Sequence, residues 1–139
     1  MTRKFTTEGS EKHRGIERLN DLSGRIIGAA MKVHSALGPG LLESAYEACL
    51  KYELSKSGIE VKSQVSLPVF YDSVMIDLGY RLDLLVEDCI IIELKAVEKV
   101  SILHEAQLIS YLKLSGKKLG LIINFNVPRL KDGITRKVH

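Results

Sequence analysis

The chain has 139 residues, a length that suits one domain with its own hydrophobic core. Its 45% hydrophobic and 27% charged residues are typical of a folded globular protein and exclude a disordered or membrane-embedded chain. The net charge of +3 is unevenly spread, because residues 113 to 139 hold seven Lys or Arg against one Asp, whereas residues 21 to 112 hold eight against thirteen acids. This segregation suits a polyanion near a cation site, although a solvated lysine-rich surface is the commoner explanation.

The N-terminal stretch, residues 1 to 21, is polar and shows no sustained apolar periodicity. We therefore expect a flexible tail there and one folded domain over residues 22 to 139. The stretch also lacks the apolar run of a secretory signal or a membrane-spanning helix. A cytoplasmic protein without a membrane partner is the expectation that follows.

Two helices are predicted first. From Leu22 apolar residues recur at helical spacing until Gly38 and Pro39 end the first helix. Gly40 is predicted to open the second helix as its N-cap, and Gly58 follows the end of that helix.

From residue 61 the apolar period drops to two, which predicts strands. The first strand runs from Val61 to Tyr71, where Pro68 indicates an edge position or a bulge, and Asp72-Ser73 forms its turn. A longer strand follows from Val74 to Val86.

The segment CIIIELKAV is a β-branched run typical of a central strand. A helix is then predicted from about Ile102 to Leu114, and a last strand from Lys118 to Phe125. The predicted order is α-α-β-β-β-α-β. It indicates an α/β fold with a mixed central sheet flanked by helices.

The register of the hairpin at residues 87 to 89 can be predicted from burial, because directly opposed residues share a face of the sheet. A two-residue loop would mix charged and apolar side chains on both faces. A three-residue loop, Glu87 to Cys89, gives one apolar face through the pairs Val86–Ile90, Leu84–Ile92 and Leu82–Leu94. We therefore predict the three-residue loop.

That register opposes like charges on the other face, Asp83 to Glu93 and Arg81 to Lys95. Two carboxylates about 4 Å apart repel by roughly 4 kcal/mol at an effective dielectric near 20. A divalent cation between the carboxylates would offset this repulsion, and a phosphate near Arg81 and Lys95 would relieve the second pair. The alternative interpretation is a solvated sheet face without a chemical role.

Asp83, followed after nine intervening residues by Glu93-Leu94-Lys95, resembles the motif of the PD-(D/E)xK nuclease superfamily, and the order of elements agrees. Within that superfamily the chain resembles the small GxxExxY proteins, whose motif is present as Gly40-Leu41-Leu42-Glu43-Ser44-Ala45-Tyr46. The resemblance extends over about residues 22 to 135, through VHSALGPGLLE, RLDLLVED, IIELKAV, HEAQLISYLKLSG and LGLIINFNVP.

The resemblance implies that Asp83, Glu93 and the backbone carbonyl of Leu94 ligate Mg²⁺, for which Mn²⁺ can substitute. It also implies that Lys95 positions or activates the attacking water. These roles agree with the preference of Mg²⁺ for hard oxygen ligands and with its ability to lower the pKa of a bound water.

Gln107 and Tyr111 resemble the QxxxY motif of the RecB/Cas4-like branch, which implies that they line the site. The alternative is a buried, hydrogen-bonded pair that helps the helix to pack on the sheet. Glu43 matches the acidic residue of the superfamily's first core helix. At position N3, however, its charge would also stabilise the helix through the helix dipole, a role that needs no catalysis. His34 matches an upstream helical histidine that reaches the metal in that branch. The alternative is a satisfied core histidine.

The function that the resemblance implies is a metal-dependent phosphodiesterase acting on nucleic acid, with DNA as the expected substrate and Arg81 as a substrate-binding residue. The alternative is a catalytically silent module that keeps the nuclease fold and binds nucleic acid or a protein partner. Because the chain is small, a homo-oligomer or a protein partner could supply the specificity.

Overall fold

The computed structural model describes the backbone of residues 2–139 and the side chains of residues 14–139. The helices within this part are α1 (Thr2–Leu37), α2 (Glu43–Lys56) and α3 (Ile102–Ser115). The strands are β1 (Val61–Ser66), β2 (Val69–Tyr71), β3 (Val74–Ile76), β4 (Arg81–Val86), β5 (Ile90–Lys95), β6 (Leu119–Asn124) and β7 (Ile134–Val138). A short 3-10 turn at Leu130–Gly133 precedes β7.

Five strands form one sheet in the spatial order β1-β4-β5-β6-β7, while β2 and β3 form a separate two-stranded hairpin. β5 and β6 run parallel and are joined through α3, as a parallel pair requires a crossover connection. The other neighbours in the sheet are antiparallel. The predicted α/β class with a mixed central sheet and flanking helices is confirmed.

The helices cover both faces of the sheet. On one face, α1 and α2 pack on the sheet in a buried cluster that includes Leu50 and Ile92. On the other face, α3 packs through Leu108 against Ile91 and Ile122. β5 is therefore buried on both sides, which explains its nearly continuous apolar sequence.

The first helix begins well before its predicted start. A flexible tail is expected over residues 1 to 21, whereas α1 begins at Thr2, and Met1 lies outside the described residues. Leu19 packs against the cluster under α1 and α2. Its spacing from Ile16 and Leu22 continues the helical period, but charged neighbours dilute the pattern. No helix in the described part, α1 included, combines the length and the apolar content needed to cross a bilayer.

Each of the two long strands predicted over residues 61 to 86 is interrupted. The first breaks at Pro68, between β1 and β2, because proline has no amide to donate to a ladder. The second breaks between β3 and β4, where Gly79 has a φ of 77° and its amide donates to Asp77 Oδ1 at 2.9 Å. The predicted turn at Asp72-Ser73 is confirmed.

The predicted three-residue loop between β4 and β5 is confirmed, since Val86 pairs with Ile90 and Leu84 with Ile92. Backbone pairing of the two strands ends at Leu84–Ile92. The prediction is wrong for the pairs beyond it, Leu82–Leu94, Asp83–Glu93 and Arg81–Lys95, which are not part of the ladder. Leu82 accordingly packs in the cluster under α3, on the face opposite to Leu84.

Sequence reasoning missed β7. This strand pairs antiparallel with β6, from Ile123–Ile134 to Leu119–Val138. Its sequence, ITRKV, is short and basic, so it lacks the apolar alternation that would mark a strand. β7 lies at an edge of the sheet, where charged side chains protect against pairing with other strands.

Candidate functional site

Asp83 on β4 lies where the β4–β5 ladder stops. Its Oδ2 accepts a hydrogen bond from the Leu94 amide at 2.8 Å, so a side chain takes the place of a backbone carbonyl on that amide. This contact explains why the predicted backbone pairing of Asp83 and Glu93 is absent from the ladder. The two carboxyl groups still lie together, because Asp83 acts on the pKa of Glu93 through both its charge and a side-chain hydrogen bond.

Glu93 on β5 is a buried carboxyl group in a central strand. Only 6% of its surface is exposed, and its Oε1 has no hydrogen-bond partner in the described part of the chain. Burial first, and then the charge and hydrogen bond of Asp83, raise the pKa of Glu93 to about 9. Without a cation this carboxyl group is therefore protonated at neutral pH, whereas a bound cation would favour its ionised form.

Lys95 ends β5 and is half-buried at the same place. Its positive charge opposes the rise in the pKa of Glu93, which shows that the ammonium group lies near that carboxyl group. Its carbonyl accepts a hydrogen bond from the Phe125 amide at 3.0 Å, which ties the end of β5 to the segment after β6. Arg81 starts β4, is exposed and pairs with Ser66 of β1.

Gln64 on β1 stands at the register position opposite Asp83, between the paired residues Ser63 and Val65. It has a φ of 53°, in the left-handed region that residues other than glycine rarely adopt. The ladder between β1 and β4 skips this position. Asp83 therefore lies at a gap in the backbone pairing on both of its sides.

Glu47 on α2 lies at the candidate site and was not identified from the sequence. Its Oε1 accepts a hydrogen bond from Gln64 Nε2 at 2.7 Å. Burial raises the pKa of Glu47, and the charges of Asp83 and Glu43 act in the same direction. The available signal was its spacing of four residues from Glu43, which places both carboxyl groups on one side of a helix.

Glu43 itself is exposed at the first turn of α2. The prediction of Gly40 as the N-cap is wrong, because Leu42 is the N-cap and Glu43 therefore takes position N1 rather than N3. Gly40 instead has a φ of 103° in the loop before the helix. At N1 the carboxylate still lies at the positive end of the helix dipole, so its position alone does not require a chemical role.

Tyr46 holds the loop that leads into α2. Its hydroxyl donates a hydrogen bond to the Gly38 carbonyl at 2.5 Å and accepts one from the Leu41 amide at 3.1 Å. Its ring stacks on Phe125 with centroids 4.3 Å apart. The tyrosine of the sequence motif thus fixes the start of the helix that carries the two glutamates.

α3 brings Tyr111 to the same site. Burial raises the pKa of Tyr111, and the charges of Glu93, Tyr80 and Asp83 act in the same direction, whereas a hydrogen bond with Gln107 lowers it. The ring of Tyr80 lies 6.1 Å from that of Tyr111, between centroids. Tyr111 is therefore buried within electrostatic range of the two carboxyl groups, whereas Gln107 is exposed and contacts Tyr111.

His34 is engaged elsewhere. Its Nε2 lies 2.8 Å from the Val127 carbonyl oxygen, and its ring is tilted against Phe125 at 6.3 Å. No hydrogen bond or ring contact in residues 14–139 joins His34 to Asp83 or Glu93. The structure thus links this histidine to the loop after β6.

The donor set at the strand ends fits a hard divalent cation. In the part of the chain whose side chains are described, no three His, Cys, Asp or Glu residues are grouped so as to hold a metal ion. Mg²⁺ is commonly held by only one or two carboxylates, with waters completing its shell. The unpartnered Oε1 of Glu93 beside Asp83 matches that pattern, because a cation would satisfy the oxygen and offset the repulsion.

The fold and the paired carboxyl groups with a neighbouring lysine at a strand end define a nuclease-type α/β domain. A family model described as the PD-(D/E)XK nuclease superfamily matches residues 20–137. Because this match covers most of the chain, the chain belongs to the PD-(D/E)XK nuclease superfamily. No curated protein and no solved structure gives a significant match.

Proposed function

We propose that this chain is an Mg²⁺-dependent nuclease that hydrolyses phosphodiester bonds of nucleic acid, with DNA as the expected substrate. The proposal depends above all on the buried Glu93, whose unpartnered oxygen lies beside Asp83. Membership of the superfamily adds independent support. We further propose that the chain is a GxxExxY protein of the RecB/Cas4-like branch and that residues 22 to 139 form its catalytic domain.

Asp83, Glu93 and the backbone carbonyl of Leu94 are the groups that we expect to hold the cation, either Mg²⁺ or Mn²⁺. When bound, the cation would lower the pKa of a coordinated water and offset charge on the phosphodiester. Asp83 already accepts a hydrogen bond from the Leu94 amide, which orients its carboxylate before any ligand arrives. His34 could join this set through Nδ1, or through Nε2 if it gave up its contact with Val127.

Lys95 would supply a compact positive charge next to the attacking water and the phosphoryl oxygens. Lys95 is the last residue of a buried strand, and its charge acts on Glu93. From the α3 side, Gln107 and Tyr111 would orient the substrate. Arg81, which is exposed at the start of β4, would bind a phosphate.

Glu43 and Glu47 would act from the α2 side. Glu47 accepts a hydrogen bond from Gln64, and its charge interacts with that of Asp83, so it is the α2 carboxyl group that we expect to influence the position of Asp83. Glu43 is exposed and would assist through water.

Cleavage of labelled single-stranded, double-stranded and branched DNA, and of RNA, with Mg²⁺ or Mn²⁺ tests the proposal. Lys95→Ala should lower the rate by about a hundredfold or more, since removal of one charge-stabilising group commonly has that effect. Lys99→Ala, which removes an exposed lysine four residues later, is the matched control and should cleave like the wild type. A wild-type protein that leaves every substrate as intact as Lys95→Ala does would contradict the proposal.

Binding of Mn²⁺, followed by electron paramagnetic resonance without nucleic acid, tests the cation site separately. The wild type should bind the ion, and Asp83→Asn should weaken binding at least about tenfold, because a charged ligand becomes neutral. Equal binding by both proteins would place the cation elsewhere.

A catalytically silent binding module is the second candidate function, favoured by the exposed apolar side chains of the β2–β3 hairpin. In that case nucleic acid or a protein partner would bind equally well with or without metal, and Asp83→Asn would leave the affinity unchanged.

A further inference from the structure

The β2–β3 hairpin and the loop after it expose apolar side chains to solvent. These include Phe70, Tyr71, Val74, Met75, Leu78 and Tyr80, and the Phe70, Tyr71 and Met75 side chains are each more than three-fifths exposed. The hairpin does not pair with the five-stranded sheet, and an isolated two-stranded hairpin is only marginally stable in water. Phe70 and Met75 pair across the hairpin and share one of its faces, and exposed apolar side chains grouped in this way mark a site of association.

The charge of this surface favours a protein over a nucleic acid as its occupant. Residues 67 to 80 contain Asp72 and Asp77 and no Lys, Arg or His. Aromatic side chains can stack on bases, but proteins that use them in this way combine them with cations that follow the phosphates. An apolar surface with basic residues around it is the complement that this hairpin requires.

Such a surface exists on the same chain, between α1 and the β6–β7 edge. This α1–β7 groove has a volume of about 530 Å³ and apolar lining residues Ile16, Leu19, Leu119 and Val138. Lys118 and Arg136 also line it, and both are exposed. In the described part of the chain neither cation forms an ion pair with an acid, and Arg136 donates a hydrogen bond to Asn20 instead.

The hairpin and the groove lie at opposite ends of the sheet. Leu119, in the groove, pairs with Ile90 at the start of β5 and with Val138 at the end of β7. The hairpin leads into the start of β4, which runs antiparallel to β5 and thus begins where β5 ends. A strand of six residues spans about 20 Å, so the two surfaces of one chain are at least that far apart. Contact between them requires two copies.

We propose that the β2–β3 hairpin of one copy inserts into the α1–β7 groove of a second copy, in a head-to-tail arrangement. The Phe70 and Met75 side chains, which share one face of the hairpin, meet the apolar lining of the groove, and Asp72 and Asp77 face Lys118 and Arg136. Two copies of the hairpin facing each other would instead oppose like charges. Because the two surfaces differ, the contact is heterologous and produces a ring or an open chain of copies.

A complementation experiment by analytical ultracentrifugation tests this arrangement. The hairpin variant is Phe70→Ser with Met75→Ser, and the groove variant is Ile16→Asp with Val138→Asp. All four residues are exposed, so we expect both variants to fold. Thermal unfolding of each variant checks this expectation. The wild type should associate more as concentration rises, and each variant alone should associate at least about tenfold more weakly. An equal mixture should form a two-copy species and nothing larger, because each variant retains one intact surface.

The matched control is Ile102→Ser with Leu103→Ser, which removes two exposed apolar side chains outside both surfaces and should associate like the wild type. Reversal of charge supplies a second readout. Asp72→Lys with Asp77→Lys should weaken association. Mixing it with Lys118→Glu and Arg136→Glu should restore association beyond two copies, because every hairpin in the mixture then has a groove of opposite charge.

Three outcomes would overturn the proposal. The wild type could remain a monomer throughout the concentration series, or the mixture of hairpin and groove variants could remain monomeric while the wild type associates. The hairpin variant could also lose affinity for nucleic acid while it associates normally, which would make nucleic acid the occupant of the hairpin.

Discussion

Replacement of Glu93 by Gln removes a buried carboxyl group and retains nearly the same shape. In the metal-free protein the carboxyl group is buried beside Asp83 and has a pKa raised to about 9 from 4.5. The folded state therefore holds a proton that the unfolded state releases above pH 4.5. Stability is then greatest below that pH and falls as pH rises, until the folded group also ionises near pH 9.

The magnitude follows from the same shift. Each pH unit above 4.5 lowers the free energy of unfolding of the wild type by about 1.4 kcal/mol relative to a neutral side chain. At roughly pH 7 the difference is about 3 kcal/mol. We therefore expect Glu93→Gln to be more stable than the wild type by about that amount without metal, and to match it near pH 4.5.

Urea unfolding in the presence of a chelator, over a series of pH values, measures this difference. Glu98→Gln is the matched control, because Glu98 is exposed and its replacement should leave the pH dependence unchanged. Addition of Mg²⁺ should stabilise the wild type and not Glu93→Gln. A difference between Glu93→Gln and wild type that stays constant across the pH series would refute the reasoning about this carboxyl group.

Three substitutions outside the carboxylate pair test the scaffold, each by urea unfolding. Gly133→Ala should lower the free energy of unfolding by more than about 2 kcal/mol, because the new Cβ would meet the Asn124 carbonyl oxygen. Gly28→Ala is the control, because its Cβ would lie in open space. Equal effects of the two substitutions would contradict this prediction. Tyr46→Phe should lower the free energy of unfolding by about 1 to 2 kcal/mol, because two hydrogen bonds disappear while the stacked ring remains. An unchanged free energy of unfolding would show that the hydroxyl does not hold the loop. Gln64→Gly should be more stable than Gln64→Ala by about 1 kcal/mol. Both variants lose the contact with Glu47, but only glycine adopts the positive φ without strain. The reverse order of stability would count against strain at this position.

The layers of the fold were predictable because burial is recorded in periodicity. Residues 90 to 95 are apolar on both sides except at Glu93 and Lys95, and that pattern identifies a central strand before any coordinates are known. Burial also fixed the three-residue loop of the β4–β5 hairpin, because a slip by one residue would move each side chain to the other face. β7 and the start of α1 lack such a pattern, since charged residues dominate both segments.

The grouping of the candidate site residues was predictable from the sequence, whereas their geometry was less so. The pattern placed Asp83, Glu93 and Lys95 on neighbouring strands, and the structure brings them together. It did not indicate that Asp83 would bind the Leu94 amide and end the ladder, because competition between side chain and backbone for one donor depends on local geometry. Gln64 and Glu47 were missed for a similar reason, since a positive φ at a glutamine has no signature in the sequence.

The position of Glu93 gives the carboxyl group few ways to reduce its free energy. Its neighbours along β5 are fully buried, and burial of each such side chain stabilises the fold by roughly 1.5 to 3 kcal/mol, so the strand is held firmly enough to retain one unfavourable residue. A carboxyl group on a flexible loop would turn toward water, whereas a central strand prevents that movement. Two responses remain, which are to bind a proton or to bind a cation. Since both compete for the same oxygens, stabilisation by Mg²⁺ should increase as pH rises toward 9, and this coupling links the strand's burial to the proposed activity.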